Sequence, residues 1–358
     1  MPDHPINVLV VDDSAVARDL LQRVLQSDPA IHVIGTARNG TEAIAALAGK
    51  KPDVMTMDIH MPGMDGFEAT RRIMETQPLP IVIVTASYNP ADVEQTFRAM
   101  EAGALAVVEK PPGTADPQHG TAVLKLLNTV KAMSEVRVIR RWPKVREGER
   151  SAEPLPVVRA ADEIRLVAIG ASTGGPPVLR SLLKDLPKPF PVPVLIVQHI
   201  SAGFVQGLVD WLNSTSGMSV HLARHAERPQ AGHAYVAPDG CHLCVNRDGN
   251  ILCLQEEPEN GLRPAVARLF RSVAEHFGPH AVGVLLTGMG SDGAVELKLM
   301  RDRGAVTIAQ DKESSIIHGM PGEAIRLGAA THVGSPPHIA ALLRSLVQRG
   351  LSDNHPKS

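Results

Sequence analysis

Hydrophobic positions in the first third of the chain fall into short runs separated by longer amphipathic stretches. The runs are residues 6–11, 31–37, 54–58, 81–85 and 106–110, with helical patterns at 15–26, 40–48 and 90–102 between them. A last helix is marked by Val123, Leu126, Leu127, Val130 and Met133 at helical spacing. This alternation predicts βαβ units on a five-stranded parallel sheet that closes near Glu135. Between Val136 and Glu163 the periodicity stops, and Arg137, Arg140, Arg141, Lys144, Arg146 and Arg150 mix with glutamates and prolines as in a solvated linker. A second pattern starts at 164–169, and continuous apolar runs at 192–197, 282–287 and 305–309 predict strands covered on both faces. The shorter alternating runs 219–223, 234–237, 242–245 and 251–254, with a hairpin signal at 246–250, predict an antiparallel insertion. The expected fold class is therefore α/β, with two doubly wound parallel-sheet domains over 1–136 and 163–351, a linker over 137–162 and a disordered tail over 352–358.

Composition narrows the function classes. With 358 residues the chain has material for two cores. Lys and Arg number 36 against 38 Asp and Glu, so no global field favours nucleic acid or anionic lipid, and 3% aromatic content leaves little for base stacking. Three cysteines are no disulfide framework. Together with an N-terminus lacking a basic start and a long apolar stretch, they point to a reducing cytoplasm. No run approaches the roughly 20 apolar residues of a bilayer span, so no direct membrane insertion is expected.

Two constellations carry chemistry. Asp12 and Asp13 follow the first strand, Asp58 ends the third, Thr85 the fourth and Lys110 the fifth, all at carboxyl ends of parallel strands, where open α/β sheets build their sites. Three clustered carboxylates repel one another unless a hard cation such as Mg²⁺ neutralises them. A nearby lysine and hydroxyl would stabilise a transferring phosphoryl group, with one carboxylate as nucleophile. In the second half, Gly170-Ala171-Ser172-Thr173-Gly174 stands between a strand and a helix in the Gly-x-Ser-x-Gly pattern of a nucleophile elbow. A serine hydroxyl needs a base and the base an orienting acid. His199 ends the next buried strand, with His225, His233 and His318 as rivals, and Asp292 lies in the turn after a third strand. The order Ser, His, Asp disfavours the ordinary α/β-hydrolase fold.

Two other patterns compete. Gly288-Met289-Gly290-Ser291-Asp292-Gly293 fits a dinucleotide fingerprint with Asp311 as its acid, although too few strands follow for two nucleotide-binding halves. Cys241-His242-Leu243-Cys244 with Cys253 suggests zinc, yet supplies only one pair of usual spacing and fits better as small groups in the inserted strands.

The motifs Val10-Val11-Asp12-Asp13-Ser14, Met57-Asp58, Met61-Pro62-Gly63-Met64-Asp65-Gly66, Thr85-Ala86 and Lys110-Pro111 resemble the flavodoxin-like receiver domain of two-component response regulators. That resemblance implies phosphorylation of Asp58 by a histidine kinase, Mg²⁺ held through Asp12, Asp13 and Asp58, and signalling through Thr85 and Lys110. Val107 stands where receivers usually carry an aromatic. Residues 170–176, Gln198-His199-Ile200, Arg263-Pro264-Ala265-Val266, residues 285–294 and 309–321 resemble the Rossmann-like catalytic domain of the chemotaxis protein-glutamate methylesterase (CheB) family. The resemblance implies Ser172 as nucleophile, His199 as base, Asp292 as its orienter, main-chain oxyanion donors around Thr173 and Met289, and no cofactor for the esterase. It also implies methyl-accepting chemoreceptors as protein substrates, demethylated with release of methanol and deamidated at glutamine. Leu262, Ala265, Ala267 and His318 depart from the family's usual residues.

Overall fold

The computed structural model describes residues 4–85, 90–136, 138 and 164–352, and for 90–95 and 348–352 the backbone alone. The chain divides into two compact units, Met1–Gly148 and Glu149–Ser358. The predicted linker lies outside the described residues except for Val138. The predicted tail does too, except for Ser352, which ends the last helix.

The first unit runs β1 (Ile6–Val11), α1 (Ala15–Gln26), β2 (Ile31–Ala37), α2 (Gly40–Leu47), β3 (Val54–Met57), α3 (Gly66–Thr76), β4 (Ile81–Thr85), α4 (Pro90–Ala102), β5 (Ala106–Glu109) and α5 (His119–Ser134). Its sheet has the order β2-β1-β3-β4-β5 with every pair parallel. Helices start where a polar side chain replaces the missing intrahelical partner: Ser14 accepts from the Ala17 N–H, Asn39 from Glu42 and Asp65 from Glu68. Helix α3 is an addition to the sequence reading. Its buried stripe of Ala69, Thr70, Ile73 and Met74 is narrow and is interrupted by Arg71 and Arg72, which pair with Glu68. The core gathers Leu9, Met55, Met57, Ile73, Ile81 and Ile83, so the methionines beside the acids are packing residues. Each such side chain fully withdrawn from water stabilises the fold by about 1.5–3 kcal/mol.

The second unit runs β6 (Leu166–Ala171), α6 (Gly175–Asp185), β7 (Val194–Gln198), α7 (Val205–Ser216), β8 (Ser219–Leu222), β9 (His233–Val236), β10 (His242–Val245), β11 (Ile251–Leu254), α8 (Val266–His276), β12 (Ala281–Leu285), α9 (Ala294–Asp302), β13 (Val306–Gln310), α10 (Met320–Arg326), β14 (His332–Gly334) and α11 (Pro336–Ser352). Its sheet has the order β14-β13-β12-β6-β7-β9-β8. The antiparallel insertion is smaller than predicted, because of its four predicted strands only β10 and β11 pair antiparallel. Strands β8 and β9 instead extend the main sheet in parallel. The edge position explains the misreading: β8 alternates exposed and buried residues because one face is wet, the pattern usual for antiparallel strands.

Both sheets reverse direction of strand addition near the middle. In the first the switch lies between β1 and β3, in the second between β6 and β12. Crevices outside the carboxyl ends at such points are where doubly wound sheets bind ligands.

Candidate active site

The second crevice is built from three strand ends. Ala171 and Gln198 are register partners in the parallel pair β6–β7, and the His199 N–H donates to the Ala171 carbonyl at 2.9 Å. Ser172 and His199 therefore leave the sheet side by side. Beyond Ser172 the chain makes a tight turn in which the Gly175 N–H donates to the Ser172 carbonyl at 2.8 Å. Gly174 takes φ 77°, ψ −1°, the third position of a type II turn, which favours glycine. The only described non-glycine residues with positive φ are Ala226 and Asn260, so the left-handed conformation falls on Gly174 and Ser172 is unstrained. The loop after β12 packs closely behind: the Ser172 N–H donates to Thr287 O at 3.0 Å, and a Cβ on Gly288 would stand 2.6 Å from the Ser172 Cβ.

His199 and Asp292 are in contact, with Nε2 2.9 Å from Oδ2 and side chains only 13% and 8% exposed. The approach is oblique, short of hydrogen-bond alignment. Asp292 also accepts the first N–H groups of α8, Oδ2 from Val266 at 2.7 Å and Oδ1 from Ala267 at 3.0 Å. The helix's own N-cap residue, Ala265, has no side chain able to do this, so Asp292 caps α8 from 26 residues away. Burial opposes ionisation of Asp292, but His199 and the two N–H groups outweigh it and hold the carboxyl below its ordinary value. Nδ1 is left as the ring nitrogen on the side away from the acid. Ser172 and His199 share no hydrogen bond among the described residues, and such contacts are often loose without substrate.

The rival histidines are engaged elsewhere: His225 with the Cys253 main chain, His233 with His221 at 2.7 Å, and His318 beside Ser315 Oγ at 3.4 Å. Neither the Thr173 nor the Met289 N–H donates a hydrogen bond among the described residues, as an oxyanion donor requires before substrate binds. Three buried polar residues were not assigned a role from sequence. Thr287 Oγ1 donates to Thr173 O (3.0 Å) or Ile317 O (3.1 Å) and accepts from the Ile317 N–H at 3.0 Å, while Gln310 Oε1 accepts the Thr287 N–H at 2.8 Å. Gln198 spans the first two strand ends. Each closes an apolar run and lies within one of the motifs quoted above, but neither signal says what its side chain holds.

The acid pocket of the first unit is equally well defined. One ligand atom from each of Asp12, Asp13 and Asp58 lies within 4.8 Å of the others. Lys110 Nζ donates to Asp58 Oδ2 at 2.8 Å and stands 2.7 Å from Asp12 Oδ2, which is buried and has no aligned hydrogen-bond partner. An orphaned carboxylate oxygen beside two further carboxylates fits a hard cation such as Mg²⁺. Burial pushes the Asp58 carboxyl up, more than Lys110 draws it down. Lys110 is held above its ordinary value because the two carboxylates outweigh its own burial. Gly66 lets the chain close over this pocket, since a Cβ there would come 2.0 Å from Asp58 O. Thr85 is buried at the end of β4, with its carbonyl accepting the Lys110 N–H at 2.9 Å.

The competing patterns are accounted for. Asp311 Oδ1 accepts from Ser314 N and Oγ within its own turn, so the dinucleotide fingerprint has lost its acid. His242 uses both ring nitrogens, toward Glu257 O and the Ala265 N–H, which leaves no nitrogen for zinc. Among the described residues the three aspartates are the only metal-type cluster.

These features define a two-unit α/β protein with an acid-lined pocket closed by a lysine on one sheet and serine, histidine and aspartate on one rim of the other. Family models match both halves: the response regulator receiver domain over residues 8–119 and the CheB methylesterase over 167–343. A protein-glutamate methylesterase/protein-glutamine glutaminase of Nitrosospira multiformis is 53% identical over 348 residues, 96% of this chain and 98% of that one. Its counterpart in Geobacter metallireducens is 54% identical over 343 residues, covering 95% and 99%. The solved CheB methylesterase catalytic domain of Thermotoga maritima aligns with 52% of this chain and 100% of its own at 35% identity and a TM-score of 0.50. The chain belongs to the protein-glutamate methylesterase/protein-glutamine glutaminase family, joining a receiver domain to a CheB methylesterase domain. No helix among the described residues is long and apolar enough to cross a membrane.

Proposed function

We propose that the second unit hydrolyses glutamyl 5-methyl esters on methyl-accepting chemoreceptors, releasing methanol, and deamidates receptor glutamines at the same site. The observation that carries this reading is the His199–Asp292 pair at 2.9 Å on the strand end next to Ser172. Ser172 Oγ attacks the ester carbonyl while His199 takes its proton, and the ionised Asp292 stabilises the imidazolium that results. The N–H groups of Thr173 and Met289 hold the negative charge on the carbonyl oxygen. Collapse expels methanol, protonated by His199, and leaves an acyl-Ser172. Water, deprotonated by His199, then frees the glutamate. With an amide substrate the same steps release ammonia.

The first unit regulates this activity. A chemotaxis histidine kinase donates phosphate to Asp58, and Lys110 and Thr85 respond to the new group. Asp12, Asp13 and Asp58 would hold Mg²⁺, which when bound neutralises phosphoryl charge. The test is methanol release from a methylated receptor. Ser172→Ala should abolish it, and release at the wild-type rate would remove the serine from the mechanism.

A further inference from the structure

We infer that Gln198 is a positioning residue for ester hydrolysis, one buried amide that fixes the nucleophile's main chain to the base's main chain; this rests on the reading of Ser172 and His199 given above. Its Nε2 donates to Ser172 O at 2.8 Å and to His199 O at 2.8 Å, using both amide hydrogens, and the residue is only 3% exposed. The sheet ladder ends one residue earlier, at Ala171 and Gln198. Past that point the amide takes over the ladder's work, holding together two segments that are leaving the sheet. Ser172 O is thereby gripped twice, by Gln198 and by the Gly175 N–H of the turn.

The amide has a single workable orientation. Turned over, it would set Oε1 against two carbonyl oxygens and leave both hydrogens unused. Oε1 is buried without a hydrogen-bond partner, and a Cβ on residue 175 would come within 2.0 Å of it. The second glycine of the Gly174-Gly175 pair is therefore the space that Gln198 fills. Gln198 touches no reacting atom in this arrangement. It sets the spacing between the Ser172 hydroxyl and the His199 ring, and a misplacement of about 1 Å in such a pair can cost on the order of 10²-fold in rate.

The test uses the full chain. Gln198→Met keeps the length and removes both donors. We expect kcat for methanol release, per active site counted by burst titration, to fall about 10- to 100-fold with KM for the methylated receptor unchanged. Labelling of Ser172 by a phosphonofluoridate should slow in parallel. Gln198→Asn, one methylene short, should behave likewise. A kcat within twofold of wild type in either folded variant would overturn the inference. Should neither fold, the wild-type protein decides: the Gln198 side-chain amide hydrogens should be protected from solvent exchange by NMR, and free exchange would refute the two hydrogen bonds. Wild-type protein that neither releases methanol nor labels at Ser172 would instead defeat the proposed function, leaving the exchange measurement to judge Gln198 alone.

Discussion

Asp292 does two jobs with one carboxylate, and they separate on mutation. It stands 2.9 Å from His199 Nε2, where the proposed mechanism has it orient the ring, and it caps α8 through the N–H groups of Val266 and Ala267. Asp292→Asn keeps an acceptor for one N–H but loses the charge, so kcat should fall on the order of 10³- to 10⁴-fold, the loss expected when a triad acid becomes an amide. The cap is worth about 1 kcal/mol, so the variant should remain folded at neutral pH, which a urea titration checks. Acid supplies the complementary test. The folded carboxyl titrates below 3.8, so its stabilisation is complete above that value and is lost as pH falls through the folded one. The stability gap between wild type and Asp292→Asn should therefore hold above about pH 4 and shrink as the pH falls further; an unchanged gap would mean that the charge contributes nothing. At this scale the sequence was legible for side chains whose own chemistry marks them, namely Ser172, His199, Asp292 and the acids around Asp58. It was not legible for Gln198, Thr287 and Gln310, whose significance comes from carbonyls and N–H groups that only the fold brings within reach.

Secondary-structure elements reach the sites through close approaches that only glycine permits. Gly66 opens α3 against the Asp58 carbonyl, and any Cβ there must push the backbone apart. Gly66→Ala should destabilise the first unit by about 1–3 kcal/mol and slow its labelling by a small phosphodonor, measured by denaturation and by phosphate incorporation. The β10–β11 hairpin provides a different test. Burial, reinforced by neighbouring Cys241 and Glu227, pushes the Cys253 thiol up to about 11, so at pH 8 its thiolate fraction is about 10⁻³. Iodoacetamide should label Cys253 slowly in the native protein and readily in urea; equal rates would place the thiol in solvent. Long buried strands and capped helices were readable because burial on both faces or a cap residue leaves a local mark. Helix α3 and the parallel pairing of β8 and β9 were not. The first hides its apolar stripe among arginines, and the second takes its partners from chain 14 and 40 residues away rather than from its neighbour's pattern.

Across the whole chain the two sites lie on separate sheets, so control requires that an event at Asp58 bias the second site. The charge change is specific. Lys110 now stands between Asp12 and Asp58, and a phosphoryl group on Asp58 would offer it further anionic oxygens. Val107 occupies the position of the usual aromatic and packs against the core of the first unit, so in the proposed switch Lys110 and Thr85 carry the response. A phosphoryl group can shift a two-state equilibrium only until the active state is fully populated. If that state makes up about a tenth of the unphosphorylated chain, stimulation stops near tenfold. Asp58→Asn should take up no phosphate from a small phosphodonor and show no stimulation of methanol release. Lys110→Met, uncharged and of similar length, should still take up phosphate while losing most of the stimulation. The two measurements are made on the same samples, phosphate incorporation beside methanol release. Wild-type stimulation in Lys110→Met would show that the signal leaves the pocket without the lysine, and stimulation in Asp58→Asn would remove phosphorylation from the control of the enzyme.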